Sequence, residues 1–476
     1  PSTGVSIMSV QPDYTPSPAP VFKKAVTGSS RLKVMGVRSS PHLFGLSGTS
    51  RVLRAFDALT GEPVVAQWKY ATDSDWTTAH TWRDTQQQAL HVRVGDDQVI
   101  LNSANIIGSW GAFVARTDDG GLVGWGHPDL GAAIPADTAP PNDITAVSAT
   151  SSAFAALRAD GTVAVWGDAG AGGNMGGISS SDFVEVSGGK SAFAGIKNTG
   201  QVVAWGQGSE VPESIGALRD IVQCVGSDGV FVARRETGHL VAWGKPDTGG
   251  TLPPEIAMLS DFKTFLGTQY AFAALRAKGS LVAWGRSTGG TLPAPIASLT
   301  DVNELCCANQ FAFAATRSTG QVVAWGHQMG GGTIGNPEIE ARTDIEVVCC
   351  TFSAFAALCT NGQVVAWGDG SAGGEIPADI AQRRDIVQVV GSSAAFAALC
   401  KDGSVVAWGN KSLGGDTSAV ESRLTDVRAI YANSTAFTAL TSDGRVVTWG
   451  SAQTGGDSSP VQELLDGKVS YQVQAG

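Results

Sequence analysis

Apolar residues in this chain recur in short runs of strand length, separated by turn-forming residues. The clearest pattern is Ala-Phe-Ala-Ala-Leu-x-x-x-Gly-x-Val-Val-Ala-Trp-Gly, which returns in nine near-copies between residues 112 and 450. Its two apolar runs predict two strands. The Asp-Gly, Asn-Gly or Thr-Gly between them predicts a tight turn, because glycine tolerates positive φ.

The copies follow one another with a period near forty residues, since successive tryptophans lie 38 to 42 residues apart. Such a period predicts an all-β array of the propeller type, because one unit cannot bury its own apolar face. A third strand begins with Asp and an apolar residue, as in Asp385-Ile386, and a short fourth would complete the unit. Nine copies predict about nine blades, or eight if one terminal copy serves elsewhere.

The repeated aromatic residues are expected to fill the space between blades. They are Phe113, Phe154, Phe193, Phe231, Phe272, Phe313, Phe355, Phe396 and Phe437, with Trp125, Trp166, Trp205, Trp243, Trp284, Trp325, Trp367, Trp408 and Trp449. The small alanines beside each Phe suggest that this strand crowds toward the propeller axis. The Asp of the third strand is expected to cap a loop through backbone amides.

Three segments divide the chain. Residues 1–30 are rich in proline and predict an extended leader. Residues 31–107 carry strand-like runs without the repeat and predict a small β-sandwich of immunoglobulin-like type, with Trp68 in its core. Residues 108–476 form the propeller. Its last run, 468–473, matches the Asp-Ile strand and is predicted to close the ring by completing the first blade.

The Phe strand, the x-Asp-Gly-x-Val-x-Ala-Trp-Gly run and the Gly-rich loop after it resemble the RCC1-like repeat superfamily over 108–476. The short period is most similar to the bacterial branch typified by β-lactamase inhibitory protein II. The resemblance implies a propeller whose variable loops carry the activity, as in nucleotide exchange factors, chromatin-binding modules, enzyme inhibitors and interaction domains. The inhibitors normally have seven blades, so the nine copies here depart from that pattern.

Composition narrows the functional classes. The net charge of −11 and the sequence pI of about 5.0 disfavour nucleic-acid binding. The seven cysteines are an odd number in apolar runs, which is not a disulfide framework. Cys359 and Cys400 hold the same register in neighbouring repeats and could lie close. The sequence predicts no transmembrane segment, no metal site and no cofactor, and its localisation is unknown, with secretion or a cell surface favoured.

Function is expected on loop positions that do not repeat, since the repeated positions serve packing. The binding candidates are His127, Asp129, Lys245, Tyr270, Phe311, His327 and Met329. For Tyr270 and Phe311, extra blade packing is the alternative. The sequence supports no arrangement of a nucleophile with a base and no pair of catalytic carboxylates, so no catalytic residue is predicted.

The sequence therefore predicts a non-enzymatic binding protein whose propeller loop face recognises a protein or glycan on a target cell. A bacterial secreted or surface adhesin, or the targeting component of a toxin, is the expected setting, with the sandwich as spacer or attachment. The alternatives are an inhibitor or regulator of a partner enzyme and a hydrolase or lyase on the propeller.

Overall fold

The protein is described by a computed structural model that covers residues 31–38, 52–84, 86, 88–102, 105–136, 138 and 143–474. The predicted leader, 1–30, lies outside the described residues. Within them, nine three-stranded antiparallel sheets follow one another in the repeat region, and we number them blades 1 to 9. Each blade runs from an inner strand to a middle strand with the Phe and an outer strand with the Trp.

The inner strands are Ile106–Gly108, Ile144–Ala149, Phe183–Gly188, Ile221–Gly226, Phe262–Gly267, Val302–Ala308, Ile345–Cys350, Ile386–Gly391 and Val427–Ala432. The middle strands are Ala112–Arg116, Ala153–Arg158, Ala192–Lys197, Val230–Arg235, Ala271–Arg276, Ala312–Arg317, Ala354–Cys359, Ala395–Cys400 and Ala436–Thr441. The outer strands are Leu122–Gly126, Val163–Gly167, Val202–Gly206, Leu240–Gly244, Leu281–Gly285, Val322–Gly326, Val364–Gly368, Val405–Gly409 and Val446–Gly450.

The strand next to the propeller axis is the Asp-Ile strand. Inner strands of successive blades contact one another around the ring, and that of blade 9 contacts that of blade 1. The expectation that the alanine-flanked Phe strand crowds the axis is therefore wrong. Ala312 and Ala314 are small for another reason, because Phe355 and Trp367 of the next blade pack in the same cluster with them.

Each Phe lies directly opposite its Trp across two strands, as in the pair Phe313 and Trp325. The ring centroids of the nine pairs are 5.1–5.6 Å apart. Every one of these side chains is between 0% and 4% exposed. Each blade therefore holds one buried pair of stacked aromatic rings at the repeated Phe and Trp positions.

At eight of the nine junctions between the described blades, the loop after Trp-Gly reaches across and accepts a hydrogen bond from the Trp of the next blade. In blade 8, the Trp408 indole N–H donates to the carbonyl of Gly373 in the loop of blade 7, at 2.9 Å. Gly373 has φ +93°, and a Cβ there would lie 2.6 Å from Phe396. Only glycine fits, because both the backbone conformation and the neighbouring ring exclude a side chain. The same bond joins blade 9 to blade 1, where Trp125 donates to Gly455 at 3.2 Å.

The Asp before the inner strand binds an arginine side chain of its own repeat. The pairs are Asp143–Arg158, Asp220–Arg235, Asp261–Arg276, Asp301–Arg317, Asp344–Arg342 and Asp385–Arg383, with N–O distances of 2.7–3.5 Å. The expected capping of a loop through backbone amides is wrong for these residues, since the carboxylates accept from guanidinium groups instead.

The C-terminal segment closes the ring only in part. Gly467 donates to the Gly444 carbonyl, and the Lys468 carbonyl accepts from Asp118, at 3.0 and 2.7 Å. Equivalent bonds start the inner strand in other blades, for example Thr360 to Asp344. The chain then leaves blade 1, and its last strand, Gln472–Gln474, pairs with residues 99–101 of the N-terminal region. The prediction that 468–473 completes the first blade is therefore wrong beyond its first residues.

Short helical turns connect the outer strand of one blade to the inner strand of the next. They take the place where a short fourth strand was expected, and a buried Ile such as Ile380 anchors them. The α-helical turns are Glu213–Gly216, Pro254–Ala257, Ser287–Gly290, Ala294–Ala297, Pro337–Glu340, Ala378–Ala381 and Gln462–Leu465. The 3₁₀ turns are Pro128–Leu130, Ala169–Ala171, Pro246–Thr248, Gln328–Gly330, Gly370–Ala372, Lys411–Leu413, Glu421–Arg423, Ala452–Thr454 and Ser459–Val461.

The N-terminal region is built from two sheets around one core. Its strands are β1 (Leu32–Met35), β2 (Val52–Asp57), β3 (Ala66–Tyr70), β4 (Thr77–Ala79), β5 (Thr81–Arg83), β6 (Leu90–Val94) and β7 (Asp97–Leu101). One sheet has the order β1-β2-β5, and the other runs from the C-terminal strand through β7, β6 and β3 to β4. Trp68 is 0% exposed in the core, as expected. The immunoglobulin-like type stays a prediction.

This sandwich docks on the side of the ring where inner strands begin, which we call the turn face. Arg54 makes a bidentate ion pair with Glu346 of blade 7, at 3.1 and 2.6 Å. Arg83 binds Glu304 of blade 6, and the Gly36 amide donates to the Arg428 carbonyl of blade 9 at 2.9 Å. Blades 6 to 9 therefore carry the sandwich, and the opposite side, the loop face, holds the loops after each Trp-Gly.

Replacing Phe313 by Ala should destabilise the protein by about 3–5 kcal/mol, because a buried ring is removed and the neighbouring blades close the cavity only partly. Urea unfolding followed by tryptophan fluorescence would measure the change. Phe311→Ala is a matched control two residues away, since Phe311 is partly exposed. Equal losses for both variants would show that Phe313 has no special place in the core.

Replacing Arg54 by Ala should loosen the sandwich, since Glu346 would keep a partly buried carboxylate without its guanidinium. The loss of such charged hydrogen bonds costs about 1.5–3 kcal/mol. Faster trypsin cleavage within the sandwich is expected. The control is Arg31→Ala, whose side chain is 66% exposed in its pair with Asp57, so that little change is expected. Equal cleavage rates in the two variants would contradict the role of Arg54.

Candidate functional site

Three residues join the inner to the middle strand of each blade on the loop face. The first of them is fixed by the backbone: Thr351 accepts from the Ala354 amide and donates to the Ala372 carbonyl, both at 3.0 Å. The second and third positions are held by their backbone instead: the Phe352 amide donates to the Ser393 carbonyl at 2.9 Å, and the Ser353 carbonyl accepts from the Asp369 amide at 3.0 Å. The blade therefore tolerates variation of the side chains at these two positions, and the repeats do differ there.

Aromatic residues occupy the third position in blades 5 and 6. The rings of Tyr270 and Phe311 stack with centroids 6.3 Å apart and an interplanar angle of 30°. Phe311 also contacts His327, at 6.2 Å between ring centroids. All three side chains retain solvent exposure. Two adjacent blades therefore present a continuous aromatic surface.

A cation extends this aromatic surface toward blade 4. The guanidinium carbon of Arg286 lies 5.0 Å from the Tyr270 ring centroid, within the range of a cation–π contact. Its position is held by Asp247, at 2.7 Å. The hydrogen bond from Arg286 holds the pKa of Asp247 below 3.8, so the pair stays charged at neutral pH.

Asp228 gathers polar side chains from three blades beside the axis. Its carboxylate accepts from Lys190 at 2.9 Å and from Gln269 at 3.0 Å, and Lys245 lies 3.6 Å away. Burial acts to raise the pKa of Asp228, but the bond and charge of Lys190, with smaller contributions from Gln269 and Lys245, lower it below 3.8. Asp228 therefore links blades 3 and 4 through ion pairs and blade 5 through a hydrogen bond.

The axis itself is covered on the loop face by residues from blades that are not neighbours. Trp110 of blade 1 and Phe352 of blade 7 approach to 6.1 Å between ring centroids. The Lys190 ammonium lies 5.7 Å from the Trp110 ring centroid. These side chains all come from the second position of the connecting loops, so that position points toward the axis.

Of the seven binding candidates predicted from sequence, five lie near one another in the structure and two lie apart from them. Lys245, Tyr270, Phe311, His327 and Met329 lie on blades 4 to 6, and we call them, with Asp247 and Arg286, the loop-face strip. The Met329 amide donates to the His327 ring at 3.2 Å, and the Met329 side chain is 72% exposed. His127 and Asp129 lie in the loop of blade 1, outside the strip.

Sequence reasoning missed the residues that connect the strip to the axis. They are Trp110, Lys190, Asp228, Gln269, Arg286 and Phe352. Aligning the nine repeats at the two residues before each Ala-Phe, and at the residue after each Trp-Gly, would have singled them out as departures. That these side chains meet near the axis could not be predicted from the sequence, because it depends on which loop position points to the axis.

An ionisable group also lies on an inner strand, at the junction of blades 3 and 4. Desolvation raises the pKa of Glu185 to about 7, and the Ser187 hydroxyl, the Cys224 amide and the charge of Arg234 oppose the shift. Ser187 donates to the carboxylate at 3.2 Å, and Arg234 binds Gln223 at 3.3 Å. Glu185 therefore changes charge near neutral pH.

Three further findings concern metal-binding clusters, membrane-spanning helices and disulfides in the described part of the chain. No group of three or more His, Cys, Asp or Glu side chains there is arranged to hold a metal ion. No helix there has the length and apolar character required to cross a bilayer. The seven cysteines are free. Cys359 and Cys400 each lie near an arginine of their own repeat, Arg342 and Arg383.

Comparison with known proteins gives similarity in fold alone. No protein-family profile and no curated protein sequence matches the chain. Among solved structures, the ectodomain of the Physcomitrella patens receptor kinase CR4 is 16% identical with a TM-score of 0.36, over 54% of this chain and 69% of that one. Prp20p from Saccharomyces cerevisiae is 13% identical with a TM-score of 0.35, over 78% and 86%.

BamB from Moraxella catarrhalis is 15% identical with a TM-score of 0.31, over 72% of this chain and 94% of that one. Similarities this distant carry no argument about function. The propeller assignment rests on this chain's own blades and on the closure of blade 9 against blade 1. The bacterial inhibitor branch of the RCC1-like superfamily stays a prediction.

The charge on Glu185 should make stability depend on pH. The folded protein holds the Glu185 proton up to about pH 7, whereas an unfolded glutamate loses it near pH 4.3. Between these values the folded state binds more protons, so stability is greatest at the acidic end and falls as pH rises through 7. Urea midpoints at pH 5 and pH 8 would show the fall.

Glu185→Gln should flatten this part of the pH profile, because the amide stays neutral. Glu210→Gln is the control, since Glu210 is exposed in the loop after blade 3. An identical profile for wild type and Glu185→Gln would assign the dependence to other groups.

Proposed function

We propose that this protein is a non-enzymatic binding protein and that the loop-face strip is its binding surface for a protein partner. One observation carries the proposal: Tyr270 and Phe311 stack on consecutive blades at a loop position where neither is needed for the repeat. The other blades have small residues there, namely Gly111, Ser152, Ser191, Gly229, Ser353, Ala394 and Thr435.

The chemistry of the strip fits recognition of a protein. Tyrosine and arginine are enriched among the residues that dominate binding energy in interfaces, and Tyr270 and Arg286 are in contact here. Their neighbours already hold them in place, since Asp247 binds Arg286 and Phe311 stacks on Tyr270. Side chains that are ordered before binding lose less conformational entropy in the complex.

The surroundings of the strip favour a partner with both polar and apolar surface. Met329 and His327 supply an adaptable apolar end. Lys245 and Arg286 supply hydrogen-bond donors at the other end, where each is paired with an aspartate, Asp228 and Asp247. A partner with an apolar patch beside hydrogen-bond acceptors would satisfy both ends.

The setting that we propose is the one expected from the sequence, a bacterial secreted or surface adhesin or the targeting component of a toxin. The sandwich would then act as spacer or attachment, and its position supports this. It is docked on the turn face through Arg54 and Arg83, so the loop face points away from it. A partner on another cell would meet the strip first.

Binding of the full chain to intact cells and to cell extracts tests the proposal. Wild type is compared with Tyr270→Ser/Phe311→Ser, which gives these positions the residue that three other repeats carry. Loss of two interface anchors should cost about 2 kcal/mol or more, roughly a 30-fold loss of affinity. Protease treatment of the cells should abolish binding and glycosidase treatment should not.

Ser152→Ala/Ser353→Ala is the matched control, because it changes the same loop position in blades 2 and 7. Undiminished binding by the Tyr270→Ser/Phe311→Ser variant would remove the strip from the function. Binding lost only after glycosidase would make the partner a glycan.

An inhibitor or regulator of a partner enzyme is the second candidate. Aromatic side chains on adjacent blades favour it, since Tyr270 and Phe311 stack into one surface. If the captured partner is an enzyme, a stoichiometric amount of this protein should lower its activity, and Tyr270→Ser/Phe311→Ser should not. Full enzyme activity in the saturated complex would dismiss this candidate.

A further inference from the structure

The five-stranded sheet of the N-terminal sandwich has one buried and one polar face. Trp68, Tyr70, Leu90, Val92 and Val99 point into the core and are 0–3% exposed. The alternate residues lie on the other face and are partly exposed. They are Gln67, Lys69, His91, Arg93, Gln98 and Ile100.

Strand register gathers these polar side chains into two rows. Gln67, Arg93 and Gln98 are direct cross-strand neighbours, and so are Lys69 and His91. Cβ atoms of such neighbours are about 4.5–5.5 Å apart. We call this group, together with Trp76, the sandwich patch. A small flat area therefore offers two cations, two amides and an imidazole.

Trp76, just before β4, lies against both cations. The guanidinium carbon of Arg93 is 4.1 Å from its ring centroid, and the Lys69 ammonium nitrogen is 5.4 Å away. The indole orders the two charges without neutralising them, because a ring is attracted to a cation through its quadrupole alone. The two charges are thus fixed in place and remain available to bind an anionic ligand.

Neither cation has a carboxylate within ion-pair distance in the described part of the chain. Arg93 donates through Nε to Gln67 at 2.7 Å, and Lys69 donates to the Asp73 carbonyl at 3.3 Å. The Asp73 carboxylate instead accepts from the Tyr70 amide at 3.0 Å. This differs from the propeller, where arginines pair with aspartates in one repeat after another, as in Arg276 with Asp261.

The imidazole in the patch is held neutral. Burial and, second, the charge of Lys69 lower the pKa of His91 below 6.5. Its Nδ1 lies 3.2 Å from the amide nitrogen of Gln98. At neutral pH the patch thus has three side chains that can donate and accept hydrogen bonds beside its two cations.

We propose that the sandwich patch binds an acidic polysaccharide. Lys69 and Arg93 would bind its carboxylate or sulfate groups, and Gln67, Gln98 and His91 would bind its hydroxyls. Charge complementarity at the patch supports this occupant, because Lys69 and Arg93 lie together over Trp76 and neither has a carboxylate within ion-pair distance in the described residues. Groups that both donate and accept match sugar hydroxyls better than they match the acceptor-only side chains of an acidic peptide.

Calorimetric titration of the full chain tests the proposal with heparin as the sulfated probe and polygalacturonate as the carboxylated probe. At least one should bind, dextran should not, and binding should weaken as salt rises. Poly-L-glutamate should bind at least tenfold more weakly than the better polysaccharide. The two acidic probes also distinguish sulfate from carboxylate recognition.

Lys69→Gln/Arg93→Gln should lower the affinity at least tenfold. Lys263→Gln/Lys278→Gln removes the same charge from exposed positions of blade 5 and should bind as wild type. Gln67→Ala/Gln98→Ala should also weaken binding, and it tests the patch with both cations in place.

Three results would overturn the proposal: no binding of either polysaccharide, equal losses in the cation variant and its control, or poly-L-glutamate binding as tightly as the polysaccharides. The inference is independent of the loop-face strip. Tyr270→Ser/Phe311→Ser should therefore bind the polysaccharide as wild type does, whatever its effect on the protein partner.

Discussion

The architecture depends on one interaction that recurs between blades. A Phe and a Trp stack across two strands of one blade, and the Trp indole N–H donates to a glycine carbonyl of the preceding blade, as Trp367 does to Gly331 at 3.0 Å. The stack fixes the core of the blade, and the hydrogen bond fixes its position relative to its neighbour. A buried indole N–H without an acceptor would cost about 1–3 kcal/mol. The loop that supplies the carbonyl is therefore as constrained as the core.

The junction of blades 3 and 4 shows what happens where this interaction is absent. The loop after Trp205 lacks the Gly-Gly pair, and the Trp243 indole nitrogen is buried with no hydrogen-bond partner in the described residues. The same junction carries Glu185 on the inner strand and Arg234 where most repeats have an apolar residue. Departures from the repeat thus collect at one junction, directly beside the blades that carry the loop-face strip.

Much of the propeller could be predicted from sequence because its stabilising residues are repeated. The Phe, the Trp and the turn glycines were identified by period alone, and Trp68 by its place in a strand-like run. The inner strand could not be identified, because small alanines fit equally well at the axis or against a neighbouring ring. The ion pair of Asp261 with Arg276 was missed since the arginine is 15 residues away and meets the carboxylate only across two strands. Trp110 and Phe352, 6.1 Å apart between ring centroids, belong to blades that are distant in sequence and meet only when the ring is closed.

The C-terminal segment both closes the ring and attaches the sandwich to it. Gly467 and Lys468 begin as a repeat would, beside Gly444 and Asp118. The chain then passes Ser470, whose carbonyl accepts from Asn102 at 3.0 Å, and enters the sandwich sheet beside β7. The same few residues therefore hold blade 9, blade 1 and the N-terminal region together. Because Arg54 and Arg83 also tie the sandwich to blades 6 and 7, its polar sheet and the loop face are held in a fixed relation to each other.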